Sequence, residues 1–420
     1  MKKIYLALFL GLSLFASDAD ELLDGFDDSD DVKVELPKKV VEKRSDFEGK
    51  LTQSLNYSPS APTYHDGISS AQTSLFLEYN KALSDNFKLK INAKQYMDYV
   101  YFSDDYTREE KDEFKSEIEL YDFFIQGSLS KNLDIKLGRQ VVVWGKSDTI
   151  RVTDVLNSLD NRRPGMVDIE DLRLPSGMIK LDYYIKNFHI TPIMIVEQRH
   201  TKNPPFGSEF YPSPTKQPTQ KEPKNSTYAL NIGGEFSGWD GDVYLAKIYP
   251  QDVFGLPLVD KTKKINFYGA SFNIVSGSWL FKSEVALLKD LNYLNFGVRP
   301  FDRTDILLGA EYSGFADTKL SFDMVKRSFD TAPINTAKNS YQSAFRATKD
   351  FLNSTLHANY LLTLNGKNFD EGGFQRAWIK YDVSDSVTTN FGVVDYIGGS
   401  SLTDKFKDND IIFADVSYHF

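Results

Sequence analysis

The 420 residues contain no cysteine, which excludes disulfides, thiolate metal sites and a lipid-modified cysteine behind a leader. Histidine is scarce. His65, His189, His200, His357 and His419 are scattered singly, and each reads as a polar strand or loop residue rather than a base. Gly-x-Ser-x-Gly, His-Glu-x-x-His and phosphate-cradling glycine loops are missing. An enzyme is therefore not expected, although a site assembled across strands would leave no such spacing. No cofactor or metal is expected either. Beyond the first residues, no apolar run approaches the roughly twenty that a spanning helix needs. The net charge of −10 comes with no clustered basic surface, so nucleic acid is excluded as a partner.

What is present begins with MKKIYLALFLGLSLFASDAD. Lys2 and Lys3 form a basic start, Ile4 to Phe15 an apolar stretch, and Ala16, Ser17 and Ala19 offer small residues for cleavage. Residues 1–19 thus read as a secretory signal peptide. Residues 20–46 read as an acidic periplasmic tail. Ser17 to Asp46 holds eleven acidic and five basic side chains, about −6 of the total charge, with too little apolar surface to offset ordering entropy. Leu22, Leu23 and Phe26 fall on one side of a helical turn there. They read as a docking peptide for a periplasmic partner, with a solvated spacer as the alternative.

From Phe47 to Phe420 the dominant pattern is period-2 alternation, the mark of strands with two unlike faces. Phe87, Leu89, Ile91 and Ala93 alternate with Lys88, Lys90, Asn92 and Lys94. Ile179, Leu181, Tyr183 and Ile185 alternate with Lys180, Asp182 and Tyr184. Aromatics are 14% of the chain while mean hydropathy is only −0.38, which suits strands with lipid on one face and water on the other. Connections alternate strictly between short turns rich in Gly, Asn, Asp and Ser and long polar loops. Nine long loops and eight short turns give about eighteen strands, or sixteen if one hairpin is spurious.

The expected fold is all-β: a transmembrane antiparallel up-and-down β-barrel over residues 47–420, in the outer membrane of a Gram-negative bacterium and surrounded by its lipid. Long loops would be external and short turns periplasmic. A soluble sandwich is excluded because the second face carries Lys88, Lys90, Lys94, Lys180, Asp182, Lys282, Glu284, Glu311, Arg346, Arg376 and Lys380. Such charges are costly in a sandwich core and cheap in a watery lumen. Lys88, Lys90, Lys94, Arg346, Arg376 and Lys380 are the candidate lumen-wall cations. The chain closes on Tyr418 and Phe420 in the lipid-facing register, a terminal pattern resembling the signal read by barrel-assembly machinery.

One stretch departs from the pattern: Gly138–Pro175, GRQVVVWGKSDTIRVTDVLNSLDNRRPGMVDIEDLRLP. It starts like a strand, with Val141 to Trp144. Strict alternation from Ile135 and Leu137 would aim Arg139 at lipid, at a cost of roughly 2–4 kcal/mol near the midplane. A bulge at Gly138-Arg139, turning Arg139 inward, is therefore expected. Further on, Lys146, Arg151, Arg162, Arg163 and Arg173 are interleaved with Asp148, Asp154, Asp160, Asp168, Glu170 and Asp171. Thr153 or Asp154 would cap a short helix through Val155, Leu156 and Leu159, and Val167 to Leu172 would form a second turn. Ile150, Val155, Leu156, Leu159, Ile169 and Leu172 give the loop something to pack with. These features read as a folded constriction whose charges select what passes, the alternative being an external loop neutralised by its own salt bridges. The proline-rich stretch Asn203–Pro223 reads as an extended surface loop.

The Gly138–Pro175 stretch, KNPPFGSEFYP further on and ELLDGFDD in the tail together resemble a family of Gram-negative outer-membrane barrels of unknown function associated with RND-type exporters. The resemblance implies a role in moving lipid-like or hydrophobic compounds, with a periplasmic or inner-membrane exporter component as partner. Three functions stay open at this level. They are an outer-membrane channel with a charged constriction, the outer-membrane partner of an exporter, and a non-conducting receptor or adhesin.

Overall fold

The structure, a computed structural model, describes residues 46–60, 67–251, 259–294, 299–331, 337–400 and 402–420. The expected signal peptide and the expected docking residues Leu22, Leu23 and Phe26 lie outside the described residues.

Eighteen strands form one antiparallel sheet closed on itself. They are β1 (Phe47–Ser58), β2 (Gly67–Ala82), β3 (Phe87–Asp98), β4 (Ser116–Ser130) and β5 (Leu133–Gln140), then β8 (Ser176–Ile185), β9 (Phe188–Ile195), β10 (Thr227–Phe236), β11 (Trp239–Ile248) and β12 (Ile265–Ser276). The wall continues with β13 (Trp279–Leu291), β14 (Phe301–Phe315), β15 (Thr318–Phe329), β16 (Asn339–Phe351), β17 (Leu356–Asn365), β18 (Gly373–Ser384), β19 (Val387–Ile397) and β20 (Ile411–His419). Between β5 and β8, the loop adds a two-residue ribbon, β6 (Ser158–Leu159) with β7 (Arg173–Leu174), and a one-turn helix α2 (Ile169–Leu172). A further helix, α1 (Arg108–Phe114), caps the β3–β4 loop, with Thr107 and Glu110 forming a reciprocal capping box.

The last residue completes the ring. β1 pairs with β20 from Tyr57↔Ile412 to Lys50↔His419, and Gly49 and Phe420 exchange backbone hydrogen bonds at 2.8 and 3.0 Å. No free edge remains there to recruit another chain. Short turns carry the tight backbone they require, as at Lys186 (φ 54°) and Asp317 (φ 52°). Along the outer surface, Leu51, Leu55, Ile179, Val243, Val285, Leu308, Phe391 and Val416 are exposed, the apolar band that a barrel turns to lipid. Tyr418 and Phe420 belong to it, their rings stacked at 6.1 Å.

The expected bulge at Gly138-Arg139 is not there. Around Gly138-Arg139, β5 pairs in unbroken register with β4 and β8, and the one β4–β5 shift lies at the turn, between Ser128 and Ser130. The bulge lies instead in β4, where Tyr121 and Asp122 together face Asn92 between Ile91↔Phe123 and Ala93↔Leu120. Gly138 carries the local distortion in its backbone, while Arg139 stays paired opposite Phe123 and Gly177. The glycine sits at φ +125°, and a Cβ there would lie 2.1 Å from the Phe123 carbonyl oxygen. Gly138→Ala should therefore cost roughly 1–3 kcal/mol and lower the fraction of refolded protein that keeps heat-modifiable gel mobility.

Candidate functional site

Register fixes which side chains share the inner face: Lys50, Phe76, Lys94 and Glu119 lie on neighbouring strands in one row, as do Glu284 and Leu307. Into this space folds the 141–175 loop. Val141–Trp144, strand-like in sequence, leave the wall. The Asn157 Oδ1 accepts the Val142 amide at 2.9 Å, and Trp144 stacks on Tyr244 (4.7 Å) and Phe267 (6.1 Å). Val142, Trp144, Ile150, Val152 and Leu156 then form one apolar core with inward residues of β8–β16, among them Met178, Ile193, Phe267, Leu307 and Val325. The interior of this barrel is thus partly a packed core.

One carboxylate pins this segment. Glu284 on β13 accepts the Lys146 amide at 2.7 Å, the Ser147 amide at 2.9 Å, the Thr153 amide at 3.1 Å and the Thr153 hydroxyl at 2.7 Å. That demand on Thr153 is why no helix starts there. The expected helix over Val155 to Leu159 is absent and Ser158–Leu159 pairs as strand, whereas the second turn exists as α2. Asp323 on β15 adds bonds from Ser147 Oγ (2.7 Å) and Thr149 Oγ1 (2.6 Å). Lys146 reaches down the wall to Asp240 and Asp242 near the start of β11. Burial works against its ammonium, but the hydrogen bonds it donates to those two carboxylates outweigh it and raise its pKa.

The other charges separate into groups. Asp154 is shared by Arg151 (3.1 Å) and Arg173 (2.8 Å), a buried knot internal to the loop. Arg162 binds Asp160 (2.6 Å) and Glu117 on β4 (2.7 Å), and Arg163 binds Asp98 on β3 (3.0 Å) beside the Phe114 ring. Burial acts to raise the Asp160 carboxyl, but the Arg162 guanidinium, then Lys202, hold it below its usual value. Arg139 binds Glu119 and Glu197 at the rim. Asp168 faces the opposite wall and accepts from Arg346 (2.8 Å) and Arg376 (2.5 Å), with Arg376 lying over Trp378 at 3.7 Å. Asp171 is open to the lumen and Glu170 is exposed. Burial inside the barrel, and then the Asp168 charge, raise the Asp171 pKa.

The two sides of the lumen differ. On β10–β15 the inward residues Asn231, Ser271, Lys282, Glu284, Asp305 and Asp323 are buried beneath the loop. On β1–β3 the inward Lys50, Thr52, Ser54, Glu78, Lys88, Lys90 and Lys94 remain half-exposed or exposed. Lys90 pairs with Glu78 (3.1 Å), and across the lumen Lys380 pairs with Asp382 (3.5 Å). Water-facing charge therefore lines one side and a packed loop the other.

Glu284 and Lys282 had been legible as inward charges but not as buried anchors, and Trp378 carried no signal beyond its inward register. The Asn203–Pro223 stretch is not wholly a surface loop. Phe210 is buried against Tyr396 (5.1 Å) and Phe406 (5.9 Å), and the Asn409 amide donates to the Glu209 carbonyl. Among the described residues no cluster could hold a metal ion.

Solved structures with the same fold include two proteins of Pseudomonas aeruginosa, OccK8 (OprE) and the outer-membrane protein OpdK. OccK8 is 10% identical at a TM-score of 0.55, covering 89% of this chain and 98% of its own. OpdK is 10% identical at 0.54, covering 89% and 99%. OccAB2 of Acinetobacter baumannii is 11% identical at 0.52, covering 89% and 97%. These similarities establish the fold alone, a closed eighteen-stranded antiparallel β-barrel. No curated protein matches the chain in sequence. Residues 65–420 match the family described as "Protein of unknown function (DUF1302)", and the chain belongs to that family.

Proposed function

We propose that this protein is an outer-membrane channel of a Gram-negative bacterium, delivered by the leader over residues 1–19. Solute passes along the β1–β3 side of the lumen and is selected by charge where the 141–175 loop narrows it. The observation that carries this reading is the asymmetry of burial. The loop is bonded to β11–β15 through Glu284, Asp323, Asp240 and Asp242, while opposite it Lys50 and Lys88 are exposed and Lys90 and Lys94 half-buried. The narrow zone holds Asp168 and Asp171 against Arg346, Arg376 and Lys94, with charges of both signs able to discriminate ions.

The test is the reversal potential across a bilayer in a salt gradient. Because the Asp171 pKa is raised, it takes up its proton at a higher pH than an ordinary carboxylate. As pH falls, selectivity should shift toward anions before 3.8, the usual value for Asp, is reached, and Asp171→Asn should remove that early part of the shift. A pH profile unchanged by Asp171→Asn would contradict the placement of this carboxylate in the passage. The exporter-partner reading rests on the family resemblance and on Leu22, Leu23 and Phe26. It predicts that an exporter component co-purifies with the full chain and is lost when residues 20–45 are deleted.

A further inference from the structure

The rim of the barrel is uneven. β5 and β9, at eight residues each, are the shortest strands of the wall. They fall below the nine to eleven residues that a tilted spanning strand needs. Pairing of β4 with β5 stops at Phe123↔Arg139, so Ser116–Asp122 continue with β3 on one side and no strand on the other. At about 3.3 Å per residue, that is roughly 23 Å of strand edge. The β4 bulge at Tyr121-Asp122 sits at the foot of this gap. The outward surface beside it is apolar: Ile118 is 77% exposed, Leu120 39% and Val196 46%. The wall therefore stops while its lipid-facing surface continues.

Hydrocarbon does not tolerate an open sheet edge. Here the gap is filled by ion pairs from two loops. Glu117 is held by Lys202 and by Arg162 at 2.7 Å. Glu119 is held by Lys202 (2.9 Å), Arg199 (2.9 Å) and Arg139 (3.4 Å). Arg139 also donates to the Leu120 carbonyl on the open edge (2.7 Å) and pairs with Glu197, whose carboxylate accepts the Gly177 amide at 2.8 Å. The 196–226 loop is joined to the ribbon by backbone bonds from Asn161 to Lys202 and from Lys202 to Leu159, both 2.8 Å.

We propose that this gap is a lateral portal through which an amphiphile with one anionic headgroup and an acyl tail exchanges between the lumen and the bilayer. Two features point to that class. Arg139, Arg199 and Lys202 share the Glu119 carboxylate, and two of them also share Glu197 or Glu117, so an anionic head can enter by exchanging with one of these carboxylates. The tail meets Ile118, Leu120 and Val196 on the outside, while the head faces Arg162 and Tyr96 within. The proposal rests on the channel reading, since the head must reach an open lumen.

Because the chain has no cysteine, the pair Glu119→Cys/Lys202→Cys can be bridged alone by a short bismaleimide. Protein in liposomes would be photolabelled with a diazirine-bearing palmitate, the labelled residues mapped by mass spectrometry, and ion conductance recorded in parallel. Labelling at Ile118, Leu120 and Val196 is expected to exceed, several-fold, that at Leu308 on the far wall, an ordinary lipid contact at 64% exposure. Bridging should bring it down to the Leu308 level and leave conductance intact. Equal labelling at all four positions, or an excess that survives bridging, would overturn the portal. Absent conductance with the labelling contrast present would contradict the channel reading and, with it, passage of the head into the lumen. Should the double variant fail to fold, Lys202→Gln should raise the labelling, and no rise would equally overturn the proposal.

Discussion

Replacing Glu284 by alanine is expected to free residues 145–153 from the wall and raise single-channel conductance. Four donors converge on this carboxylate, three of them backbone amides, at 2.7 to 3.1 Å. Water reaches the site poorly, so each donor would be left short of a partner. Removing a charged acceptor from a buried hydrogen-bonded set costs about 3–5 kcal/mol. The barrel ladders do not use this side chain, so the ring itself should still form. Chaotrope titration of the refolded protein reads the stability loss, and planar-bilayer recording reads the wider lumen. Stability within 1 kcal/mol of the parent, by the usual scale for surface changes, would show that the apolar packing of Trp144 and Ile150 holds the loop unaided.

Asp168→Asn should turn the channel toward anions. Asp168 is the shared counter-ion of Arg346 and Arg376, and Arg376 is buried over Trp378. Without its charge the narrow zone gains one net positive charge. A unit charge about 5 Å from a passing ion is worth roughly 1 kcal/mol in a watery lumen, or about fivefold in the permeability ratio of chloride to potassium. Reversal potentials in a salt gradient measure this directly. An unchanged ratio would place Asp168 off the ion path.

Much of the wall was legible from the chain. Lys88, Lys90 and Lys94 alternating with Leu89, Ile91 and Ala93 announce a two-faced strand, and turns such as Lys186-Asn187 set where each hairpin reverses. Both are local signals, and the eighteen strands follow from them. The interior was less legible because long-range contacts settle it. Val141–Trp144 have the composition of a strand, but Asn157 takes the Val142 amide and Tyr244 takes the Trp144 ring, fifteen and a hundred residues away. Arg139 was recognised as misplaced for lipid, while its partners Glu119 and Glu197 come from two other segments. Phe210 looked like part of a surface loop because nothing nearby in sequence shows Tyr396 waiting for it.

The account depends most on the 141–175 loop narrowing an otherwise open lumen. The direct measurement is single-channel conductance of the refolded protein beside a variant in which Lys146–Arg173 is replaced by a short Gly-Ser link. Steady conductance in the intact protein, rising on deletion, is the predicted result. Conductance only after deletion would make the loop a plug and favour a partner-gated conduit. Silence from both proteins, with the barrel folded, would contradict the channel outright.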